Sequence, residues 1–319
     1  MKRAVFPEKN TNVSTSIVKK YFNFFYVQRD HTYDRSLLLL KLEIDFNAES
    51  LLPREKTCWR HRRNMSVSRA SGEIGKFRCY KSNCRTKSES RAIGTWFEGA
   101  RLSLTLIFQI MYAFSEGLSY TQTKKECATD DTVLSARTIA DWFSYCRETI
   151  VIYELENQEN RPKIGGPGKN VQIDEGRHIE GHWVIGMIED GNDDLRLKVC
   201  PDNERSAEVL VPLIQKHVQE GSIIHTDYWR AYMSLPEYGY IHRRVNHSDP
   251  THRFVAPDGT HTQRIESQWR GLKKAFRQQQ HKHDFTDWLC EYSWRRRIRM
   301  NHMDPYEELL KAIKHVYRL

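Results

Sequence analysis

Apolar residues recur along this chain in two periods, and the change from one to the other divides it. From Leu102 to about Ile150 the spacing is helical: Leu106, Ile107, Ile110, Met111 and Phe114 share one face, and Gly117 offers a stop. Ser119 to Cys127 predicts a short second helix, and after polar Thr129–Thr132 a third carries Ile139, Trp142, Phe143 and Cys146 on one side. Three short helices with a Gly-containing turn suit a helix-turn-helix unit, and equally a small bundle with no DNA role.

At Val171 the period becomes two. Val171 and Ile173 alternate with Gln172 and Asp174, as in a half-buried strand, and the Gly165–Gly168 stretch before them reads as a loop. His182–Ile188 and Leu195–Val199 follow, joined by an Asp190–Gly191 turn, and predict an antiparallel hairpin. Ser206 is placed to cap a helix through about Gln219, with Leu210, Leu213, Ile214 and His217 on one face and Pro212 inside it. Ile223–Asp227 is again a short apolar strand ending in an aspartate, Tyr228–Tyr232 is expected as helix, and His242–His247 as strand. Three antiparallel strands, a helix and a further strand imply an α/β layer with a mixed sheet, in which ligands gather at strand ends.

Helical spacing returns at Thr262–Phe276, where Ile265, Trp269, Leu272 and Phe276 form a stripe beside Glu266. Phe285, Trp288, Leu289 and Tyr292 mark a further helix that ends in Arg295, Arg296, Arg297 and Arg299. Asp304-Pro305-Tyr306-Glu307 then reads as a capping box opening a last one. Residues 1–53 carry an aromatic-rich stretch and a strand or helix over 36–42, with no assignable function. The expected segments are therefore 1–53, a basic region 54–101, a helical region 102–160, a mixed-sheet domain 165–300 and a terminal helix 301–319.

Composition adds one decisive feature. The 319 residues are 39% hydrophobic and 29% charged, which fits a folded chain and excludes a disordered one. No apolar run reaches the roughly 20 residues of a membrane span, and Met1-Lys2-Arg3 lacks the apolar segment of a signal peptide, so an intracellular location is expected. Seven thinly spread cysteines do not suggest a disulfide framework. Between Arg54 and Arg101 stand 13 lysines and arginines against four acidic residues, an excess equal to the net +9 of the whole chain. So concentrated a block points to a polyanion, nucleic acid first, or else to a solvated basic face.

Two sets of residues carry candidate chemistry. Cys58 with His61, and Cys79 with Cys84, are paired soft ligands of the type tetrahedral Zn²⁺ requires, although plain buried thiols are the alternative. Asp174, Asp227 and Glu266 form the second set. Three convergent carboxylates need a cation to stay ionised together, and hard oxygen ligands favour Mg²⁺ or Mn²⁺. Two such ions suit phosphoryl transfer, with Asp174 bridging both, Asp227 holding one and Glu266 the other. A helix cap for Asp227 and a surface ion pair for Glu266 remain the plainer readings. His225 and His247 read as structural, Trp183 and Trp269 as core. Lys273, Lys274, Arg277 and the Arg295, Arg296, Arg297 cluster are candidate DNA phosphate contacts or a solvated helical face.

Five motifs in order resemble the Merlin-type, ISXO-like DDE transposases: Lys163 to Glu175 (KIGGPGKNVQIDE), Glu180 to Gly186 (EGHWVIG), Ile224 to Tyr232 (IHTDYWRAY), Val245 to Ser248 (VNHS) and Gly259 to Arg270 (GTHTQRIESQWR). Arg78-Cys79, Cys84-Arg85, Ser90-Arg91, Gly94–Phe97 and Asp141-Trp142 are similar to the family's N-terminal region, so the resemblance spans about 75–297. It implies an RNase H-like mixed-sheet core, which would follow the small basic region with its candidate zinc ligands and helix-turn-helix-like helices. It also implies metal-dependent cut-and-paste transposition with Asp174, Asp227 and Glu266 as triad. The implied partners are transposon terminal repeats, target DNA and further copies of the chain, in the nucleus of a eukaryote or the cytoplasm of a bacterium. Where the family carries a longer basic segment after the first catalytic strand, only Gly176–Ile179 separates Glu175 from Glu180. That departure keeps a second function open, a catalytically impaired or domesticated DNA-binding protein.

Overall fold

In the computed structural model, residues 50–70, 72–84, 88–128, 133–179, 181–277 and 284–318 are described, without the side chains of 159 and 177–179. The element expected over 36–42 lies outside them. The chain divides into two compact units, one running to Tyr153 and taking in the segment from Met303, the other Glu154–His302. Among the described residues no helix is long and apolar enough to cross a membrane.

The first unit opens with a small antiparallel sheet of β1 (Ser66–Ser68), β2 (Lys76–Arg78) and β3 (Ser88–Ser90), in that order. Its core combines Phe77, Trp96 and Phe97 with the buried faces of the helices, and Arg91, 1% exposed, reaches the carbonyl of Pro53 through Nε at 3.1 Å. Helix α1 (Leu104–Ser115) is capped by Ser103, and α2 (Tyr120–Glu126) by a reciprocal Ser119–Gln122 box. Helix α3 (Ala136–Asn160) buries Ile139, Phe143, Cys146 and Ile150, as its spacing predicts, and extends beyond the expected Ile150. The aromatic seam is continuous: Phe114 meets Phe143 edge-on at 5.2 Å and Trp96 meets Trp142 at 6.0 Å.

The second unit is built on a five-stranded sheet. Its strands are β5 (Asn170–Ile179), β6 (His182–Glu189), β7 (Leu195–Val199), β9 (Ile223–Thr226) and β10 (Ile241–Arg244), after the short β4 (Ile164–Gly165) and around β8 (Val218–Gln219), which pair with each other. The order is β10-β9-β5-β6-β7. β5, β6 and β7 form the expected antiparallel meander, while β9 and β10 run parallel to β5. Helix α4 (Ala207–His217) supplies the crossover to β9 and tolerates Pro212. Tyr228–Tyr232 does not make the expected helix. A single 3₁₀ turn over Arg230–Tyr232 takes its place, because the Trp229 N–H is held by Asp227 rather than by a preceding carbonyl turn.

Each face of the sheet has its own core. Val171, Ile173, Ile185 and Ile224 pack with Leu210, Ile214, Tyr232 and Leu235 on one side. On the other, Val184, Ile188 and Leu197 pack with Ile265, Trp269 and Leu272 of α5 (Gln263–Arg277) and with Trp288 and Leu289 of α6 (Phe285–Met300). Asp284 caps α6, and Asp304 caps α7 (Pro305–Val316), whose buried Tyr306, Leu309 and Ile313 belong to the first unit.

Candidate active site

Asp174 sits within β5 and Asp227 directly follows β9, its parallel neighbour. The register pairs Val171 with Ile224 and Gln172 with His225, and carried two residues further it brings Asp174 level with Asp227. Strand alternation turns Asp174 to the face covered by α5, together with Gln172 and Gly176. A side chain on Gly176 would meet the Trp269 ring at 2.7 Å, and one on Gly186, the β6 partner of Asp174, would meet Ile265 and Trp269 at 2.8 Å. These two glycines let the indole lie flat on the sheet. Trp269 Nε1 then donates to Asp174 Oδ2 at 2.7 Å.

Gln172 fixes the start of the same helix. It is fully buried, and its Oε1 accepts from the backbone N–H groups of Arg264 and Ile265 at 3.0 and 3.3 Å, while Nε2 donates to Asp190 Oδ1 at 2.8 Å. Two of the unpaired donors at the helix N-terminus are thus satisfied from the sheet. One turn on stands Glu266, whose Oε1 accepts from Thr262 Oγ1 at 2.6 Å and lies 3.4 Å from His247 Nε2. His247 itself bonds the Arg253 carbonyl through Nδ1 at 2.9 Å. Asp227 Oδ1 accepts from the Trp229 N–H at 2.8 Å.

Burial, together with the charges of Asp227 and Glu266, raises the Asp174 carboxyl to about 6, although the Trp269 hydrogen bond works the other way. Glu175, on the opposite face of β5, is raised to about 7, again chiefly by burial. The three carboxylates thus share one region without closing on a point. Among the described residues the one group whose ligand atoms all lie within 4.8 Å of one another is Cys58, His61, Cys79 and Cys84. There Cys58 Sγ lies 3.7 Å from both His61 Nδ1 and Cys84 Sγ, and Cys79 Sγ lies 3.5 Å from His61 Nδ1. A hydrogen bond from the His61 backbone, against desolvation, lowers the Cys58 thiol to about 6, toward the thiolate a metal takes. This four-membered cluster could hold zinc.

The candidate phosphate contacts separate. Lys274 and Arg277 of α5 are exposed and Lys273 half-buried. Arg296 is 8% exposed and bonds the Asp193 carbonyl and Gln268; Arg295 pairs with Glu291 at 2.8 Å and Arg297 with buried Glu154 at 2.9 Å. The Arg295–Arg297 run therefore serves the domain's own packing. The sequence pattern showed neither Gln172 nor the Trp269 bond to Asp174, since alternation assigns Gln172 outward and an aromatic stripe reads as core.

Fold and geometry together define a mixed α/β domain in which Asp174, within β5, stands level with Asp227, just after the parallel β9. Residues 160–297 match the family model described as the ISXO2-like transposase domain, and this segment is similar to that family. No curated protein sequence matches the chain. Among solved structures, the catalytic core domain of BIV integrase is similar at 17% identity, over 46% of this chain and 97% of that one, with a TM-score of 0.29. A simian T-cell lymphotropic virus intasome in complex with PP2A regulatory subunit B56 gamma is similar at 11% identity, over 58% of this chain and 67% of that one, with a TM-score of 0.28.

Proposed function

We propose that the protein is a Merlin-type, ISXO-like DDE transposase that cleaves and joins DNA strands at transposon ends, with an RNase H-like core carrying Asp174, Asp227 and Glu266. The observation that carries this reading is the pair of aspartates on adjacent parallel strands, with the Glu266 helix clamped to the same sheet by Gln172 and Trp269. The donors suit hard divalent cations: three carboxylates stand close enough for burial and mutual charge to hold Asp174 near 6, and a cation relieves that crowding. Mg²⁺ or Mn²⁺, when bound, supplies activation of the attacking oxygen and stabilisation of the leaving one. Around it, Trp269 orients Asp174, the Trp229 N–H orients Asp227, and Thr262 with His247 orients Glu266.

The short connection after Glu175 does not stop β5 from pairing with β6 along Val171–Gly176 and again at Ile179, which supports an intact catalytic strand. The Cys58 cluster, as a structural Zn²⁺ site, and the basic segment with α1–α3 are the proposed DNA-end-binding part. Lys274 and Arg277 serve as phosphate contacts on the catalytic domain. Further copies of the chain are the expected partners, since two ends must meet.

The test is strand nicking and joining by the purified full chain on duplexes made from the repeats flanking its gene, in Mg²⁺ or Mn²⁺. Activity abolished by Asp227→Asn supports the reading. End binding with neither nicking nor joining overturns it in favour of a DNA-binding protein without catalysis.

A further inference from the structure

Beside Asp227, on the sheet face away from α5, one guanidinium is held between two indoles. The Arg205 Cζ lies 4.3 Å from the Trp183 ring centroid and 4.0 Å from that of Trp229, which fixes the plane and height of its fork. The scaffold is hydrogen-bonded on every side. Trp229 Nε1 donates to the Arg205 carbonyl at 3.1 Å, and the Trp229 N–H is the group that donates to Asp227. Asn203 Oδ1 accepts from the Trp183 N–H at 2.7 Å, and Asn203 Nδ2 donates to the Gly181 carbonyl at 2.7 Å, joining the loop to the β5–β6 hairpin. Asp202 and Asn203 both adopt positive φ, 53° and 57°, so the segment before Arg205 is held in a conformation that Asp and Asn tolerate better than most residues.

Such a scaffold exceeds what burying a methylene stem needs. The side chain keeps 36% of its surface, and Glu175 Oε2 is 3.9 Å away, too far for a hydrogen bond. A planar, always-charged fork, pre-aligned and, among the described residues, without a hydrogen-bonded acid, is suited to a phosphodiester. We propose that Arg205 is a DNA phosphate clamp, positioning the strand beside Asp227. The β5–β6 turn at Gly181 lies next to it through Asn203.

This assignment rests on the transposase reading, and the two fail differently. The experiment measures binding of the full chain to a generic duplex across 50–200 mM salt, for wild type, Arg205→Gln and Arg205→Lys, with thermal unfolding alongside. One phosphate contact contributes about 0.9 to the slope of log K against log salt. Arg205→Gln is expected to lower the slope by about 0.9 and weaken binding about three- to tenfold at low salt, while Arg205→Lys keeps most of the slope. An unchanged slope in Arg205→Gln, with a lower melting temperature, marks Arg205 as an aromatic staple and overturns the clamp. If Arg205→Gln does not fold, a wild-type slope shared by Arg205→Lys and Trp183→Leu, which removes one stacking wall, overturns it equally. Duplex binding without metal-dependent cleavage by wild type ends the transposase reading and leaves the slope to decide Arg205.

Discussion

The Cys58 cluster and the carboxylate site both assemble metal-type ligands, and they do so by opposite means. In the first, four donors gather within 4.8 Å on short strands and turns with little regular structure around them. In the second, three donors ride on a five-stranded sheet and a 15-residue helix and do not close on a point. The reason is charge. An imidazole and thiols can touch, whereas carboxylates repel and must be held in place by their scaffold. Soft sites can therefore let the metal organise a weak fold, and hard sites need a fold strong enough to carry unneutralised charge.

The largest effect should come from the weaker scaffold. Removing zinc, or Cys79→Ser, is expected to cost on the order of 10 kcal/mol of local folding free energy and to open residues 54–91 to protease; metal analysis with limited proteolysis checks it, and resistance without metal would break the contrast. Next, Asp227→Asn should reduce strand cleavage by about a thousandfold, several kcal/mol of barrier, with circular dichroism and duplex binding unchanged. Third, Gly176→Ala should cost about 1–3 kcal/mol in urea unfolding, because the new methyl meets the Trp269 ring.

The smallest effect sharpens the comparison most. Asp174 has a folded value near 6 against 3.8 for the free group, so the folded state binds more protons between those limits. By linkage its contribution to stability falls as pH rises from about 4 to 6 and stays low above that. Asp174→Asn should therefore stabilise the metal-free protein by about 1–2 kcal/mol at pH 8 and hardly at all at pH 4, read from denaturant midpoints while cleavage is lost.

Much of this was legible in the sequence because it rested on period and punctuation. Alternation at Val171 and Ile173, the Asp190–Gly191 turn and the Ile265–Trp269–Leu272 stripe led to the right elements. Groups whose partners lie far along the chain were not legible. Gln172 meets Arg264 and Ile265 some 90 residues later, and Trp269 meets Asp174 at a similar separation. The Tyr228–Tyr232 helix failed for a local reason, since the Asp227 side chain took the Trp229 N–H. Arg295–Arg297 looked like a surface block by charge alone, whereas Asp193, Glu154, Gln268 and Glu291 absorb it.

Gln172 and the Gly176–Gly186 seat lie at the base of the β5–β6 hairpin, and they fix how α5 meets the sheet. The groups that align Asp174 with Glu266 thus sit at the root of the hairpin, away from its turn at Gly181. A change of length at that turn therefore leaves the α5 seat in place, and its cost falls on the Asn203 bond to the Gly181 carbonyl.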